Sequence, residues 1–393
     1  MKEGLSMQAN YVLLFLLVTH SALYGAASDE PKIPSETTLL EQSLEDSPKK
    51  DPEGTLNFRT DDGKEEIQIE VNPKTSLENS FSLSLMEERI INSNLSELKI
   101  ILEKFKPALT IRQTYLAAEK SVAVMSLLEQ HKAPLDLLYN GVTPLGMAAL
   151  KSNLPVVEFL CSKEVNVNTP LRSNSSALHA AAVSGNIAII ERLLHSGAQI
   201  NWQDQTGKTP LHKAIIKRNV EATSYLINKG ALLLADKEGN TPIHLIVECE
   251  EFHEILSALL AKIPEVENQN QYGHTPLHIA AIEGNINVID LLLPRTGCDI
   301  QDMNGFTPLH VAIMAKNKKA SLYLIEKGVN ITVPDHKGRT ALHYAALYNL
   351  KSVVPALLNR GAYISAQDIN GDKPCDFVVD DIEMLMILKY RIC

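Results

Sequence analysis

Apolar residues in the C-terminal two thirds of this chain recur in pairs of short segments with helical spacing. Leu211, Ala214 and Ile215 fall at i, i+3 and i+4, the pattern of one helical face. After a polar break, residues 225–227 carry the apolar face of a second segment, and Gly230 follows as a C-terminal helix stop. The pattern predicts a turn, a short helix, a second turn, a slightly longer helix and an exit loop.

This pair of segments is one copy of a pattern that repeats along the chain. Its anchor is the tetrapeptide Thr-Pro-Leu-His or a close variant, at Thr143, Ser176, Thr209, Thr241, Thr275, Thr307, Thr340 and Lys373. The gaps between successive anchors are 33, 33, 32, 34, 32, 33 and 33 residues. Self-similarity at a fixed period of this length predicts a stacked repeat array.

Each residue of the anchor has a local physical role. Gly207 supplies a positive φ in the preceding turn, Thr209 caps the first helix, and Pro210 occupies its first position. Helices this short are unstable alone. Each buried leucine or isoleucine contributes roughly 1.5–3 kcal/mol. The repeats are therefore expected to fold only by packing on their neighbours.

The anchors resemble the ankyrin repeat family. The family pattern is nearly complete at Thr275–Ala281 and recurs from Thr307 and from Thr340. The resemblance implies an all-α ankyrin-repeat solenoid of stacked helix-turn-helix units with short β-hairpin-like turns. Seven clear repeats and a C-terminal partial capping repeat would occupy residues 140–393. Residues 81–139 are interpreted as degenerate helical capping repeats, and an unrelated helical segment packed on the array is the alternative.

One repeat departs from the pattern in its turn and in its exit loop. Cys249, Glu250, Glu251 and Phe252 replace the usual Gly-Asn break, and no Gly-Ala pair ends its second helix. We expect a local kink or a longer loop near residues 262–272.

The first eighty residues predict an exported chain with an acidic linker. Residues 1–27 have the apolar run and the small residues Gly25-Ala26-Ala27 of a signal peptide cleaved before Ser28. The apolar run is too short for a membrane span, which needs about 20 residues. Residues 28–80 contain fourteen acidic and six basic residues, and their composition predicts disorder. That stretch holds −8 of the total charge of −10, so the near-neutral array favours neither nucleic acid nor anionic membranes.

Residues able to support chemistry are explained by the repeat itself. Six histidines belong to the anchors, the aspartates open turns, and the five cysteines include no CxxC pair and are expected to be buried thiols. His274 and His278 have zinc-pair spacing, but no third ligand is placed nearby. We therefore expect no catalytic residues, metal or cofactor. An enzyme using the repeats as a targeting arm is the weaker alternative.

The resemblance implies that a partner protein binds on the concave face and the turn tips. Exposed aromatic, methionine and basic residues on the tips are the candidate contacts because such residues are enriched in interface centres. These candidates are Trp202, Tyr272, Met303, Phe306, His336 and Arg339. The expected protein is a monomeric scaffold, acting either as a bacterial protein directed at a host or as a periplasmic subunit that protects or positions an enzyme.

Overall fold

A computed structural model describes residues 55–59, 66–70, 86–105, 109–263, 266–379 and 381–390. The chain divides into two compact units, one within residues 26–205 and the other within residues 206–393. The predicted signal peptide, residues 1–27, and Cys393 lie outside the described residues.

Two strands interrupt the segment that composition predicts to be disordered. Strand β1 (Thr55–Arg59) pairs antiparallel with β2 (Glu66–Glu70), and the register places Leu56 opposite Ile69 and Phe58 opposite Ile67. The prediction of disorder is wrong for these residues because apolar and polar residues alternate in both runs, which is the period of a strand. The rest of residues 28–80 lies outside the described residues.

The unit within residues 26–205 is built from helix pairs. Residues 86–91 are helical, and Asn92 and Ser93 form the turn that follows. The helices that follow are α1 (Leu95–Phe105), α2 (Ile111–Lys120), α3 (Val122–Gln130), α4 (Pro144–Leu150), α5 (Leu154–Ser162), α6 (Ala177–Ser184) and α7 (Ile187–His195). Helices α2, α4 and α6 pack in sequence, as do α1, α3, α5 and α7. First helices thus stack on first helices, and second helices on second helices.

The same arrangement continues in the unit within residues 206–393. Its helices are α8 (Pro210–Ile216), α9 (Val220–Asn228), α10 (Pro242–Ile246), α11 (His253–Leu260), α12 (Pro276–Glu283), α13 (Ile286–Leu292), α14 (Pro308–Met314), α15 (Lys318–Glu326), α16 (Ala341–Leu347), α17 (Val353–Asn359) and α18 (Ile382–Tyr390). Short 3₁₀ helices cover Arg172–Asn174 in the other unit and Glu250–Phe252, Leu293–Arg295 and Pro374–Phe377 in this one. The all-α solenoid of stacked pairs is confirmed.

The first helix of each repeat is buried almost all round, whereas the second is buried along one stripe. All six residues Pro276–Ala281 of α12 are buried. In α13 only Val288, Ile289 and Leu292 are buried, at i, i+1 and i+4, which is one face of an amphipathic helix. The short first helices therefore form the centre of the core, and the second helices cover it.

The repeat that begins at Thr241 ends its second helix by an unusual contact. Helix α11 lacks a C-terminal glycine, and Arg295 of the next repeat donates from Nη1 to the carbonyl oxygens of Leu260 and Ile263. The connection to the next turn covers residues 261–269, against 229–235 in the preceding repeat. A guanidinium thus satisfies the carbonyls that a glycine motif would otherwise satisfy.

The four cysteines that the structure describes are unpaired. Cys249 is buried, but Cys161, Cys298 and Cys375 are only half-buried, so the expectation of buried thiols holds for one position. The reason is that the other three lie at the margins of the core, on a second helix or in end turns. Within the described ranges no helix is long and apolar enough to cross a membrane.

Candidate functional site

Five tight turns within residues 206–393 are each organised by one carboxylate or amide oxygen. Asp302 Oδ1 accepts hydrogen bonds from the backbone N–H groups of Asn304 and Phe306, at 2.7 and 2.9 Å. Gly305 completes the turn with a φ of +84°. The same pattern recurs at Asp236, Asn270, Asp335 and Asp368. The repeated aspartates are thus structural, as the sequence predicts.

A ladder of backbone hydrogen bonds joins the tips of successive turns. Within residues 206–393 the first tip residue donates its N–H to the second tip residue of the preceding repeat. The donor and acceptor pairs are Lys237 to Thr206, Gln271 to Glu238, Met303 to Tyr272, His336 to Asn304 and Ile369 to Lys337, at 2.7–3.1 Å. Because the ladder uses only main-chain atoms, it fixes the positions of the tips and leaves their side chains available.

Two of the predicted partner residues are exposed on this ladder. Met303 is 67 % exposed, and His336 is exposed on the next tip. Tyr272 precedes Met303 and is half-buried, with its ring 6.2 Å from that of His274. Ile369, which the sequence reading did not select, is 71 % exposed at the last described tip. We call the row formed by Tyr272, Met303, His336 and Ile369 the tip row.

Phe306 lies outside the tip row because its ring packs into the stack. It contacts Tyr344 edge to face, with ring centroids 5.6 Å apart, and it lies 6.1 Å from His310. The Tyr344 hydroxyl donates to Asp335 Oδ2 at 2.6 Å. Phe306 is half-buried and joins neighbouring repeats, so only part of the ring is left for a partner.

The prediction that Arg339 contacts a partner is wrong. Arg339 is 8 % exposed, and its Nε donates to Asp368 Oδ2 at 3.1 Å. Its guanidinium also lies over the Phe377 ring, 4.8 Å from the centroid. The side chain points along the stack because the buried Asp368 carboxylate of the next turn requires a cation.

Arg339 is one member of a series of buried contacts between repeats. The residue before the anchor reaches the turn carboxylate of the following repeat. Lys208 Nζ lies 3.1 Å from Asp236 Oδ2, and His274 Nε2 lies 3.3 Å from Asp302 Oδ2. The sequence reading assigned none of these pairs, although the recurrence of a polar residue before the anchor is visible in the sequence.

The remaining partner candidate, Trp202, belongs to the unit within residues 26–205. Its indole Nε1 donates to the Asn174 carbonyl oxygen at 2.8 Å, and the residue is half-buried. In this unit Gln205 also donates its N–H to the Ser173 carbonyl, which continues the ladder pattern there. Trp202 therefore supports a turn and keeps part of its ring accessible.

Four anchor histidines, His212, His244, His278 and His343, contact a carbonyl oxygen of the next repeat through Nε2. In His278, Nδ1 accepts from the backbone N–H of Thr275 at 3.1 Å, and Nε2 lies 3.0 Å from the Phe306 carbonyl oxygen. The proton must therefore be on Nε2. Burial lowers the pKa of His244, His278 and His310 to about 4. Their structural role in the neutral form agrees with the sequence reading.

The described residues contain no group of three or more histidine, cysteine, aspartate or glutamate side chains that could hold a metal ion. His274 and His278, the spacing that suggested a zinc pair, stack with ring centroids 5.6 Å apart, and each makes its own contact to the next repeat. Both side chains are explained by packing between repeats.

A family model for ankyrin repeats matches four overlapping stretches of the chain, residues 113–204, 178–269, 232–304 and 296–368. Together these stretches cover well over half of the sequence. The chain belongs to the ankyrin repeat family. The first matched stretch begins at Gln113, inside α2, which brings part of the predicted N-terminal capping region into the ankyrin match.

One curated protein with which this ankyrin chain shares sequence is a probable 26S proteasome regulatory subunit, p28, from Saccharomyces cerevisiae. The two are 34 % identical over 111 residues, which are 26 % of this chain and 48 % of that protein. The chain therefore spans about half the length of the curated relative. Ankyrin arrays typically mediate protein–protein interaction, and the matched protein is a regulatory subunit by name.

Proposed function

We propose that this ankyrin protein is a non-catalytic scaffold that binds a partner protein through its turn tips and the adjacent concave face. The observation that carries the proposal is the tip row. Its main-chain groups are already used between repeats, whereas the side chains of Met303 and Ile369 are more than two thirds exposed. Large exposed apolar side chains held on a rigid frame are suitable interface anchors.

The tip row combines apolar anchors with polar groups. Tyr272, Met303 and His336 lie on three consecutive tips, and Asn304 and Lys337 are exposed beside them. An apolar centre with a polar rim is the composition of a protein-binding patch. A partner would gain affinity from the anchors and specificity from the surrounding hydrogen-bonding groups. In the other unit, the accessible part of Trp202 is a separate candidate contact.

A site-specific photo-crosslinking experiment tests this proposal. Replacing Met303 by a benzoyl-phenylalanine residue should give a discrete crosslinked protein in extracts of the native host. The matched control carries the same group at Leu232, which is 54 % exposed in the exit loop of an earlier repeat. Equal crosslinking at both positions would contradict the assignment of the tip row.

A triple variant measures the contribution of the tip row. Tyr272→Ala, Met303→Ala and His336→Ala together should reduce capture of the crosslinked protein at least tenfold, with the melting temperature nearly unchanged. Surface substitutions away from structural contacts usually change stability by less than about 0.5 kcal/mol. Undiminished capture by the folded variant would show that the partner binds elsewhere.

A second candidate function is that of a dedicated subunit in a larger assembly. The name of the yeast relative, a proteasome regulatory subunit, favours this role, and protection or positioning of an enzyme is the form we propose for it. Co-purification from the native host separates the two candidates. A stable complex of fixed stoichiometry would support the subunit role, and a transient crosslinked partner would support the scaffold.

We also propose that the protein is exported. The apolar run in residues 1–27 and the small residues before Ser28 support this location. Sequencing the N-terminus of the protein isolated from its host provides the test. A mature chain that starts near Ser28 is expected, and a cytosolic chain that retains Met1 would contradict export.

A further inference from the structure

A single carboxyl group occupies a row of otherwise apolar positions. The seventh residue after each anchor lies in the last turn of the first helix or just after it. In six of the seven clear repeats this residue is apolar, namely Leu150, Val183, Ile216, Ile282, Met314 and Leu347. The fourth repeat has Glu248 instead. It comes just before the irregular turn formed by Cys249 and the 3₁₀ helix Glu250–Phe252.

The side chain of Glu248 is largely enclosed and lacks a hydrogen-bond partner at one oxygen. Its Oε1 is inaccessible to solvent and receives no hydrogen bond from the described residues. Its neighbours Cys249 and Phe252 are both buried. A buried carboxylate without a donor is strongly unfavourable, whereas the neutral acid loses much less on burial.

The charged groups around Glu248 do not supply the missing donor. Arg218 approaches from the preceding repeat, but its Nη1 donates to the exposed Glu251 at 2.9 Å. Glu283 approaches from the following repeat and adds like charge. Glu250, on the turn itself, is exposed. Burial, reinforced by Glu283 and opposed by Arg218, raises the pKa of Glu248 to about 8.

We propose that Glu248 is a proton-dependent lock on the junction between the repeats that begin at Thr209, Thr241 and Thr275. With the carboxyl group protonated, the irregular turn packs between its neighbours. Loss of the proton places a negative charge, with no hydrogen-bond donor at Oε1, beside Glu283, and the junction loosens.

The direction of the pH effect follows from linkage. The pKa of this carboxyl is higher in the folded protein than its ordinary value of 4.5. The stability that it contributes is fully present below about pH 4.5 and is lost as the pH rises towards 8. The neutral anchor histidines have the opposite effect, because the stability that they contribute is lost as the pH falls below about 6.5. A matched variant is therefore needed to measure the contribution of Glu248 alone.

Hydrogen exchange on the full chain provides the test. Exchange of the segment 242–260 is measured at pH 6 and pH 8 in the wild type and in Glu248→Gln. The ratio of the two proteins' exchange rates at one pH gives the ratio of their opening constants, since the intrinsic exchange rate cancels. The wild-type opening constant should rise roughly fifty-fold relative to Glu248→Gln between these two pH values. Glu250→Gln, at an exposed carboxyl on the same turn, should follow the wild type.

Two results would overturn the proposal. One is a wild-type to Glu248→Gln ratio that stays constant from pH 6 to pH 8. The other is greater opening at pH 8 in Glu248→Leu than in the wild type, since leucine restores the apolar residue of the other repeats and should protect the segment at both pH values.

Discussion

On the turn side of the 206–393 unit, the buried carboxylate of Asp368 meets the guanidinium of Arg339 and two backbone N–H groups. Where the two helices of a repeat connect, the half-buried carboxyl of Glu248 meets no donor at its enclosed Oε1. The two groups have the same chemistry, yet their pKa values are shifted in opposite directions, downward for Asp368 and upward for Glu248. Burial opposes ionisation in both, and only Asp368 has enough donors to overcome it.

The comparison shows how an array of near-identical repeats can differ in strength from one junction to the next. Where a turn carboxylate pairs with a basic side chain of the neighbouring repeat, the pairing stabilises the ionised carboxylate and joins the two repeats. A carboxyl without a donor makes the same kind of junction depend on protonation. We therefore expect changes on the turn side to destabilise the fold at neutral pH, and neutralisation of Glu248 to stabilise it.

Of the changes predicted here, acidification should have the largest effect on the free energy of unfolding. The pKa values of His244, His278 and His310 lie at about 4 against 6.5 for an ordinary histidine, so stability present above pH 6.5 is lost as the pH falls towards 4. Between pH 7 and pH 4.5 the loss is on the order of 2–3 kcal/mol per histidine. Urea denaturation between pH 7 and pH 4.5 measures it.

The exposed His336 offers a control for changes at the buried anchor histidines. His336→Gln should change stability at pH 7 by less than about 0.5 kcal/mol because its imidazole lies on an exposed tip. Equal stability of the wild type at pH 7 and pH 4.5 would mean that the anchor histidines are not held neutral.

Removal of a paired carboxylate should have the next largest effect. Asp368→Ala deletes the partner of Arg339 and the acceptor of two turn N–H groups, and leaves a buried cation. Breaking a buried pair in this way costs about 3–5 kcal/mol. Thermal unfolding gives the measurement. Asp372→Ala, at an exposed side chain in the same turn, should change stability by less than about 0.5 kcal/mol.

Two glycines with the same backbone conformation allow the cost of a positive φ to be measured separately from the cost of a steric clash. Gly305 has a φ of +84°, and a Cβ there would lie 2.6 Å from the backbone nitrogen of His336. Gly361 has a φ of +90°, and nothing lies within 4 Å of its Cβ position. Gly361→Ala should cost about 1 kcal/mol from φ alone, and Gly305→Ala about 3 kcal/mol. Equal melting temperatures for the two variants would show that the ladder is not tightly packed.

The smallest expected effect concerns the neighbour of Glu248. Glu283→Gln removes the like charge, so the pKa of Glu248 should fall below about 8 and the pH dependence of segment 242–260 should level off earlier. We expect a stability gain below about 1 kcal/mol at pH 8 because Glu283 is exposed and screened. Hydrogen exchange of that segment measures both its stability and its pH dependence. An unchanged pH profile would show that burial alone raises the pKa of Glu248.

The sequence predicts the fold well because each repeat specifies its own local structure. Thr275 and Pro276 begin a helix, Gly284 ends it in the left-handed region, and the period of the anchors requires stacking. The pairing of β1 with β2 could not be predicted because the acidic, proline-containing context outweighs two short alternating runs. Arg295 could not be predicted to cap α11, since the two are 35 residues apart and only the stacked structure brings them together.

The candidate site was predictable only in part. Met303 and His336 occupy tip positions that the anchor spacing locates, and the structure places both in the open. Arg339 follows the same spacing rule, but its environment depends on Asp368 of the next repeat and on Phe377, which no local pattern reveals. Glu248 was detectable by aligning the repeats, although its missing donor required coordinates.

The hydrogen-bond ladder between tips has a consequence for protein engineering. Every rung from Thr206 to Ile369 is formed by amide and carbonyl groups that all amino acids except proline possess. Codons for Gln271, Met303 and His336 can therefore be randomised in a display library, with proline excluded, while the framework of turn aspartates, glycines and anchor histidines is kept. Such a library would sample new recognition specificities on one unchanged backbone.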